Sequence, residues 1–479
     1  MREMESERAL KGSFYTINSD FYKWIGTFTA LIIIWVTAQS YSLDYKTSMF
    51  FVITIFAVLL WCFSLIPDAI TGLLLPVLYV VFKVTTPNIA FKPWTSTIPW
   101  LVLAAMLMST MLNETGVARR IAIWSIAKFG KTFATILLGI TLAGIIITPF
   151  IPSVIAKIVI FNIITMGLIE TLGYKPKSLE ATLLTMAGFF VISTFRLGFA
   201  TGDSGIIIGL NYAQQVTGQT LTWMQYLIHN LPYIFFYTFG SLGVLVLFAK
   251  DTKPLTAEKR QLLEKKYLDL GKIKDKEKKA FIVMGVALLF MSTESIHKIN
   301  SAWILVVLSS LFFMPKLGLL NNESLKKVNL LSLLFIVGAM SIGAVASETQ
   351  AINLIKDFLQ PFFKGSNFSI ITVSYISGIL LNFLLTPLAA MSSFTIPLIQ
   401  LGLENNINPY VMTYIFQVSL DQYLLPYEFA GLLLVYTSGY VSLKTLVKIL
   451  LVRMFLGLVI LLGIAYPWWN ILGIISSQY

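Results

Sequence analysis

Long apolar runs follow one another through most of the chain, and their lengths can be compared with the thickness of a lipid bilayer. A helix needs about 20 mostly apolar residues to cross roughly 30 Å of hydrocarbon. By this criterion we predict about eleven transmembrane helices, near residues 22–40, 47–65, 68–84, 97–113, 179–210, 224–249, 280–297, 300–315, 330–347, 410–437 and 446–470. The pattern indicates an all-α integral membrane protein.

Two further apolar stretches, 132–170 and 369–403, are interrupted by proline near their middle. Pro149 and Pro152 interrupt the first stretch, and Pro387 interrupts the second. Because proline ends a helix, each stretch is predicted to fold back as a re-entrant hairpin with both ends on one side of the membrane.

Each predicted hairpin is followed by a long apolar segment that contains charged residues and helix breakers. The two segments, 179–210 and 410–437, carry in order Arg196, Gly198, Gly202 and Asp203, then Asp421, Pro426, Glu428 and Gly431. A break in a transmembrane helix leaves backbone N–H and C=O groups without their helical hydrogen bonds. Such groups are tolerated only around a polar cavity. Such breaks at corresponding positions of two halves point to the binding site of a secondary transporter. We therefore interpret the chain as a membrane carrier.

The composition excludes an ordinary soluble protein, because 57% of residues are hydrophobic and only 12% are charged, about half the usual charged fraction. The net charge of +12 would suggest nucleic acid or another anionic partner in a soluble protein. Here the basic residues concentrate in short segments between spans, at 114–131, 171–178, 250–279, 316–329 and 438–445. Since cytoplasmic loops are rich in Lys and Arg, these segments and the N-terminus are predicted to be cytoplasmic.

The predicted organisation is a cytoplasmic N-terminus at 1–21, a first half at 22–249, a charged linker at 250–279 and a second half at 280–479. With this topology the first hairpin enters from the cytoplasm and the second from outside, so the halves form an inverted repeat. The linker could bind nucleic acid or calmodulin, but a solvated connector near anionic lipid explains its mixed charges.

Several segments resemble the divalent anion/sodium symporter family, which carries dicarboxylates, citrate and sulfate. The resemblance lies in residues 85–131, in "LTWMQYLIHNLPYIFFYTFGSLGVLVLF" and in "VNLLSLLFIVGAMSIGAVASETQAINLI", and it covers roughly residues 45–470. It implies a multi-pass protein of the cell membrane, a small anionic substrate, sodium or proton coupling without any other cofactor, and a homodimer.

The family is marked by a Ser-Asn-Thr tripeptide at each hairpin tip, which supplies sodium ligands and substrate hydrogen bonds. Here the first tip has Pro152 and Ser153, and the second has Thr386 and Pro387, followed by Ser392 and Ser393. By this resemblance all six are candidate substrate-binding residues. The order and spacing of the elements match the family, whereas the residues at the positions that bind the ion and the substrate differ from the family motifs.

Five charged residues in apolar surroundings are candidates to carry the transport chemistry, and they are Lys157, Arg196, Asp203, Asp421 and Glu428. A charge near the bilayer midplane costs roughly 2.5 to 3.5 kcal/mol, so such residues usually face a cavity and pair with one another. The Lys157 ammonium could occupy the place of a sodium ion, which would make coupling independent of sodium. Alternatively, Lys157 extends along the hairpin to the interface.

Arg196 and Asp203 lie seven residues apart across the first break. Arg196 could clamp a substrate carboxylate with two hydrogen bonds, and Thr201 and Gly202 are further candidate substrate-binding residues. Asp203 with the hydroxyls of Thr201 and Ser204 could coordinate a cation or a proton beside open backbone carbonyls. The alternative is a structural ion pair between the two charges.

Asp421 and Glu428 flank Pro426 in the second break. Two carboxylates in a low dielectric would favour the protonated form, which suits proton coupling. Alternatively, one end of the span reaches water. Because the five charged candidates sum to a net negative charge, an anionic substrate would require one of these carboxylates to be protonated.

We therefore predict a secondary active transporter for a small anion. The alternatives are a proton-coupled or sodium-independent carrier of another small solute, and a channel or sensor on the same scaffold. The chain carries no nucleophile with a base, no His-Cys metal cluster and no phosphate loop, so it is not expected to be an enzyme. Expected partners are the solute, the bilayer and a second copy of the chain.

Overall fold

The computed structural model describes residues 2–63, 65–151, 153–252, 254–346, 348–349, 351, 353–354, 357, 360–362 and 365–476. Within these residues the secondary structure is helical apart from one isolated bridge between Ile407 and Ser476. The helices of eight or more residues are α1 (Arg2–Ser40), α2 (Tyr45–Phe63), α3 (Asp68–Val81), α4 (Ile98–Thr115), α5 (Val117–Phe129), α6 (Phe133–Ile147), α7 (Val154–Thr171), α8 (Leu179–Phe195), α9 (Ser204–Thr217), α10 (Trp223–Phe248), α11 (Ala257–Leu268), α12 (Asp275–Ser292), α13 (Ser301–Leu311), α14 (Leu330–Ala339), α15 (Asn367–Asn382), α16 (Pro387–Glu404), α17 (Pro409–Ser419), α18 (Ala430–Thr437) and α19 (Leu443–Ile460).

Seven helical segments of the described chain are long and apolar enough to cross a membrane: Phe21–Ser40, Tyr45–Phe63, Phe133–Phe150, Val154–Thr171, Leu179–Gly198, Trp223–Phe248 and Leu443–Ile471. Helices α4 and α5 together make an eighth, although they bend by 62° at their junction, where Gly116 adopts a left-handed conformation with φ of 77°. The predicted all-α membrane fold is confirmed. The number of spans and the two re-entrant hairpins remain predictions.

The helices end close to the interruptions that the sequence predicted. Helices α6 and α7 are separated by a 3₁₀ turn at Thr148–Phe150, and α15 and α16 are separated by residues 383–386. The first broken segment stops at Phe195 and resumes at Ser204, and the second stops at Ser419 and resumes at Ala430. The order of helix, interruption, helix, broken helix and long helix therefore occurs twice.

Two predicted boundaries differ from the structure. Most of the predicted loop 114–131 is helix α5, because Gly116 ends α4 and an apolar face continues after it. The predicted linker 250–279 contains helix α11 and the first turn of α12, which begins at Asp275.

Residues 1–96 and 331–358 form one compact unit. Its packing depends on glycine, because a methyl group at Gly338 would overlap the carbonyl oxygen of Gly72. Small residues let helices approach closely in a membrane protein. Trp61 packs edge-on against Phe335 with ring centroids 5.1 Å apart.

Residues 97–330 and 359–479 form the second compact unit. Helix α8 packs against α6, α7 and α10, while α9 packs against α16 and α17. The two parts of the first broken helix therefore contact different neighbours. Since α17 belongs to the second broken helix, this packing brings the two breaks together inside the unit.

Arg120 anchors the linker to α5. Its Nε donates to Glu277 Oε1 at 2.8 Å, and its terminal nitrogens donate to the carbonyl oxygens of Leu270 and Gly271 at 2.9 and 3.0 Å. Burial is the largest single influence and raises the pKa of Glu277, but the hydrogen bonds from Arg120 and the Lys274 backbone, together with the positive charges of both residues, bring that pKa below the usual value of 4.5. The ion pair is therefore complete at neutral pH.

We predict that Arg120→Gln releases the linker and makes residues 269–274 the first site of limited proteolysis. Breaking a buried ion pair costs about 3 to 5 kcal/mol, so the melting temperature in detergent should fall. Because the folded-state pKa of Glu277 is depressed, its stabilising contribution is present at neutral pH and is lost as the pH falls through that pKa, below 4.5. The neighbouring exposed residue gives the matched control, Arg119→Gln, which should leave the cleavage pattern unchanged. Equal cleavage of both variants would contradict the anchoring role.

Candidate functional site

The two helix breaks are joined by a buried ion pair. Arg196 lies where α8 ends, and its Nη2 donates to Asp421 Oδ1 at 2.9 Å. Asp421 follows the end of α17, 225 positions further along the chain. The side chains are 4% and 0% exposed, so neither charge is balanced by bulk water. The ends of two helices are thus held together by opposite charges in a low dielectric.

A second arginine completes the neutralisation of Asp421. Arg453 lies in α19, and its Nη2 donates to Asp421 Oδ2 at 2.6 Å and to Ser193 Oγ at 2.8 Å. The guanidinium carbon also lies 4.8 Å from the ring centre of Phe190 and 4.7 Å from that of Tyr237, where the aromatic faces attract a cation. The Asp421 carboxylate therefore bridges two guanidinium groups from two helices.

Arg453 was missed in the sequence analysis, although the signal was present. It stands in the apolar run "KILLVRMFLGLVILLG", and the criterion that selected the other five charged residues selects it as well. The interpretation of Asp421 as a carboxylate near the water-facing end of a span was wrong, because its side chain is fully buried.

Asp203 provides the other partner of Arg196. The two side chains form an ion pair, and Asp203 Oδ1 also accepts from the backbone N–H of Ile206 at 3.0 Å. This bond caps the N-terminus of α9, where a negative charge is favourable. The structural ion pair that the sequence left as an alternative is present. Arg196 cannot clamp a substrate with both terminal nitrogens while its two acidic partners hold them.

Lys157 enters the same cluster from the first turn of α7. Its side chain is fully buried, and Nζ donates to the carbonyl oxygen of Gly202 at 2.9 Å. The alternative in which Lys157 extends to the membrane interface is therefore wrong. Gly202 must be glycine at this position, because a methyl group would overlap the carbonyl oxygen of Arg196.

The cluster consists of Lys157, Arg196, Arg453, Asp203 and Asp421, which is three basic against two acidic side chains. Ion pairs connect the last four, and Lys157 joins them through the carbonyl oxygen of Gly202. Its formal charge is +1 when every member is ionised. The sequence predicted a negative sum, but it omitted Arg453 and included Glu428. In that fully ionised state the cluster would attract an anion without protonation of a carboxylate.

Glu428 has a different environment. Its oxygens accept from the backbone N–H groups of Leu425 at 2.8 Å and Leu424 at 3.2 Å, so the side chain closes the turn of the second break. Within the described part of the chain Glu428 forms no ion pair. Asp421 and Glu428 therefore do not share a charge environment in the way their sequence spacing suggested.

Polar side chains from neighbouring helices satisfy the opened backbone carbonyls. The Tyr226 hydroxyl donates to Leu197 O at 3.0 Å, and Asn382 Nδ2 donates to Leu420 O and Gln422 O at 3.1 and 3.0 Å. These bonds satisfy carbonyl oxygens that the two breaks leave without helical partners.

Some buried polar atoms near the breaks have no protein partner among the described residues, and they are Arg196 Nε, Arg453 Nε, Gln417 Oε1 and the Tyr423 hydroxyl. Gln417 lies beside the first break, because a Cβ atom placed on Gly205 would be 3.2 Å from Gln417 Oε1. Buried polar groups normally have hydrogen-bond partners. These atoms are therefore candidate contacts for a solute or for water.

The remaining predicted residues serve mainly as helix caps. Ser153 Oγ accepts from Ala156 N at 3.3 Å at the start of α7, and Thr386 Oγ1 accepts from Ala389 N at 3.4 Å at the start of α16, which Pro387 opens. Ser204 is the first residue of α9. Pro152 lies outside the described residues.

Three further predicted hydroxyl groups have other hydrogen-bond partners or none within the described residues. Ser392 Oγ donates to Leu388 O at 2.8 Å, and Thr201 Oγ1 accepts from Trp223 Nε1 at 3.2 Å. The Ser393 hydroxyl has no partner within the described chain. In that part of the chain, none of these hydroxyls nor that of Thr386 forms a hydrogen bond with a charged member of the cluster.

The family described as the sodium:sulfate symporter transmembrane region matches residues 18–475. The chain belongs to this family. The resemblance to divalent anion/sodium symporters is thus confirmed, and the family is one of transporters rather than enzymes.

Individual symporter-family relatives are distant. A "membrane protein" of Cupriavidus necator is 24% identical over 323 residues, which are 67% of this chain and 61% of the relative. The sodium-dependent dicarboxylate transporter SdcS of Staphylococcus saprophyticus is 25% identical over 49% of this chain and 47% of its own length. The citrate/succinate antiporter of Escherichia coli is 28% identical over 29% of this chain and 30% of its own length. The chain thus spans less than two thirds of each relative.

The crystal structure of the Alcanivorax borkumensis YdaH transporter is similar in fold, with a TM-score of 0.55 and 13% identity over 91% of this chain and 100% of that one. This likeness supports the helical membrane architecture alone.

We predict that Arg453→Gln lowers the melting temperature in detergent strongly, because it leaves a buried carboxylate with one guanidinium partner. Removal of one partner of a buried pair costs about 3 to 5 kcal/mol. Lys448→Gln, an exposed change in the same helix, is the control. Asp421→Asn combined with Arg453→Gln should lose less stability than the two single losses added together. Strict additivity would show that the two side chains do not interact.

We predict that Gly202→Ala abolishes transport or folding, since the methyl group would force the first break away from Lys157. Gly243→Ala in α10 is the matched control, because no atom lies within 4 Å of the added carbon. Transport in a reconstituted system and the elution profile in detergent report the two effects. A Gly202→Ala protein with unchanged transport would contradict the tight geometry of the break.

Proposed function

We propose that the protein is a secondary active transporter that moves a small anion, such as a di- or tricarboxylate or a sulfate-like ion, across the cytoplasmic membrane by alternating access. The observation that carries this proposal is the buried cluster of three basic and two acidic side chains at the junction of two broken helices. Broken helices are the usual location of transporter sites. Relatives named for dicarboxylate, citrate/succinate and malate transport support the choice of substrate class.

The binding contacts follow from the groups that remain available. Arg196 Nε and Arg453 Nε lack partners in the described chain, and each could donate one charge-assisted hydrogen bond to an anionic oxygen. The N-terminus of α7 lies beside Lys157, and helix N-termini favour anions. A carboxylate or sulfate oxygen near these donors would offset the excess positive charge.

Coupling at this site is proposed to be independent of sodium. In transporters with broken helices, unwound carbonyls coordinate the coupling cation. Here the Lys157 ammonium donates to the Gly202 carbonyl at 2.9 Å. An ammonium attached to the chain cannot be released on the other side of the membrane, so it transfers no energy from an ion gradient.

Two driving forces are compatible with an attached cation. If Lys157 stays charged, the empty carrier keeps an uncompensated buried charge, which is costly in a membrane, and exchange of one anion for another is favoured. If Lys157 loses its proton after the anion leaves, the empty carrier returns neutral and transport is coupled to protons. The citrate/succinate antiporter among the relatives makes exchange the first choice.

We further infer that the N-terminus and residues 250–279 are cytoplasmic, that the two hairpins enter from opposite sides, and that the protein acts as a homodimer. The positive charge of the predicted inner segments supports the orientation. The homodimer is inferred from the resemblance to the divalent anion/sodium symporters.

We predict that liposomes loaded with unlabelled substrate take up labelled succinate, citrate or sulfate faster than empty liposomes, and that an imposed sodium gradient adds nothing. Lys157→Ala should reduce this uptake by at least about tenfold, the equivalent of 1.4 kcal/mol, because it removes the charge that the anion offsets. Lys131→Ala, which changes an exposed lysine, is the control.

Other outcomes separate the alternatives. Accumulation of the solute in empty liposomes under a pH gradient would indicate proton coupling instead of exchange. Uptake that only equilibrates and never concentrates the solute would indicate a channel. If sodium alone drives uptake and Lys157→Ala leaves the rate unchanged, the attached-cation proposal is wrong.

A further inference from the structure

A groove outside the charged cluster combines an apolar wall with a basic end. It has a volume of about 340 Å³ and lies between α5, α7 and α11, with Ile160, Ile163 and Leu263 in its wall and Arg119 and Lys266 at its basic end. The proposed transport mechanism uses none of these side chains.

The basic end is partly desolvated, and within the described residues no carboxylate forms an ion pair with its two cations. Lys266 Nζ donates to Gly167 O at 2.7 Å and to Thr171 Oγ1 at 2.6 Å, so the ammonium is fixed over the end of α7. Arg119 has neither a hydrogen-bond acceptor nor an acidic partner among the described residues. Burial, and then the positive charge of Arg119, lower the pKa of Lys266, while Glu170 opposes this effect. An anion between the two cations would relieve their repulsion.

The apolar end continues onto a surface suited to lipid. Ile155, Val159 and Ile163 recur at helical spacing on α7 and are 38%, 36% and 66% exposed. In a bilayer such a stripe faces acyl chains. Because Ile163 also lines the groove, an acyl chain lying along this stripe would enter the groove without a break.

We propose that this groove binds one anionic phospholipid, with its phosphate between Arg119 and Lys266 and one acyl chain along α7. A soluble anion would satisfy the two cations but leave the apolar wall uncovered, whereas a zwitterionic lipid would bring a cation of its own to the basic end. Basic pockets between helices at the cytoplasmic side are suited to acidic headgroups, and Arg119 and Lys266 belong to segments predicted to lie on that side.

The bound lipid would connect the linker to the transport site. Lys266 belongs to the linker helix α11, while α7 carries Lys157 at its other end. A lipid held by both helices would stabilise their contact, independently of which solute is carried.

The proposal is tested by native mass spectrometry of the full-length protein in detergent, with dioleoylphosphatidylglycerol or dioleoylphosphatidylcholine added at matched concentrations. We expect one phosphatidylglycerol molecule to bind tightly to the unmodified protein. A basic residue near a headgroup contributes enough for a roughly fivefold change in affinity. Lys266→Gln and Arg119→Gln should therefore each weaken binding about fivefold.

The matched control is Lys265→Gln, which removes the same charge from the adjacent exposed position of α11 and from outside the groove. It should retain the affinity of the unmodified protein. Because the Arg119 side chain forms no hydrogen bond and no ion pair among the described residues, its variant tests the headgroup contact even if Lys266→Gln loosens α11. Equal binding of the two lipids, or equal weakening by Lys265→Gln and Arg119→Gln, would overturn the proposal.

Discussion

A carboxylate that is cut off from water must be neutralised by the protein itself, and this constraint acts most strongly on Asp421. Its two oxygens are held by Arg196 and Arg453, which come from different helices. The end of α8, the end of α17 and the middle of α19 are therefore fixed relative to one another. The turn at Gly202 and the position of Lys157 depend on this arrangement, because Arg196 lies directly beside both.

The same constraint limits how a solute could bind. Arg196 already has acidic partners at both terminal nitrogens, and breaking a desolvated pair is costly. A solute that bound the unpartnered Nε atoms and Lys157 would leave the ion pairs intact. A solute that displaced Asp203 or Asp421 would have to break them. On this view the acidic residues position the arginines, and the arginines and the lysine attract the anion.

Much of the fold could be predicted, because a helix that crosses a bilayer must be long and apolar, and this property can be read from the sequence. Apolar length marks the membrane helices, and charges among apolar residues mark the breaks that the structure contains around Arg196 and Asp421. The pairing could not be predicted, because it depends on tertiary contact. Asp421 was compared with Glu428, seven positions away, whereas its partners lie 225 and 32 positions away. Glu428 instead uses both oxygens on backbone N–H groups, and no spacing rule indicates that choice.

The breaks also show why an anion could bind without reorganising the backbone. Tyr226, Asn382 and Lys157 hold the carbonyls that the interrupted helices expose. The free energy needed to open these helices is thus offset by contacts made within the protein. The binding free energy of a solute is therefore not used to open the helices. It can instead favour one conformation of the carrier over another, to the extent that the solute binds the two conformations with different affinity.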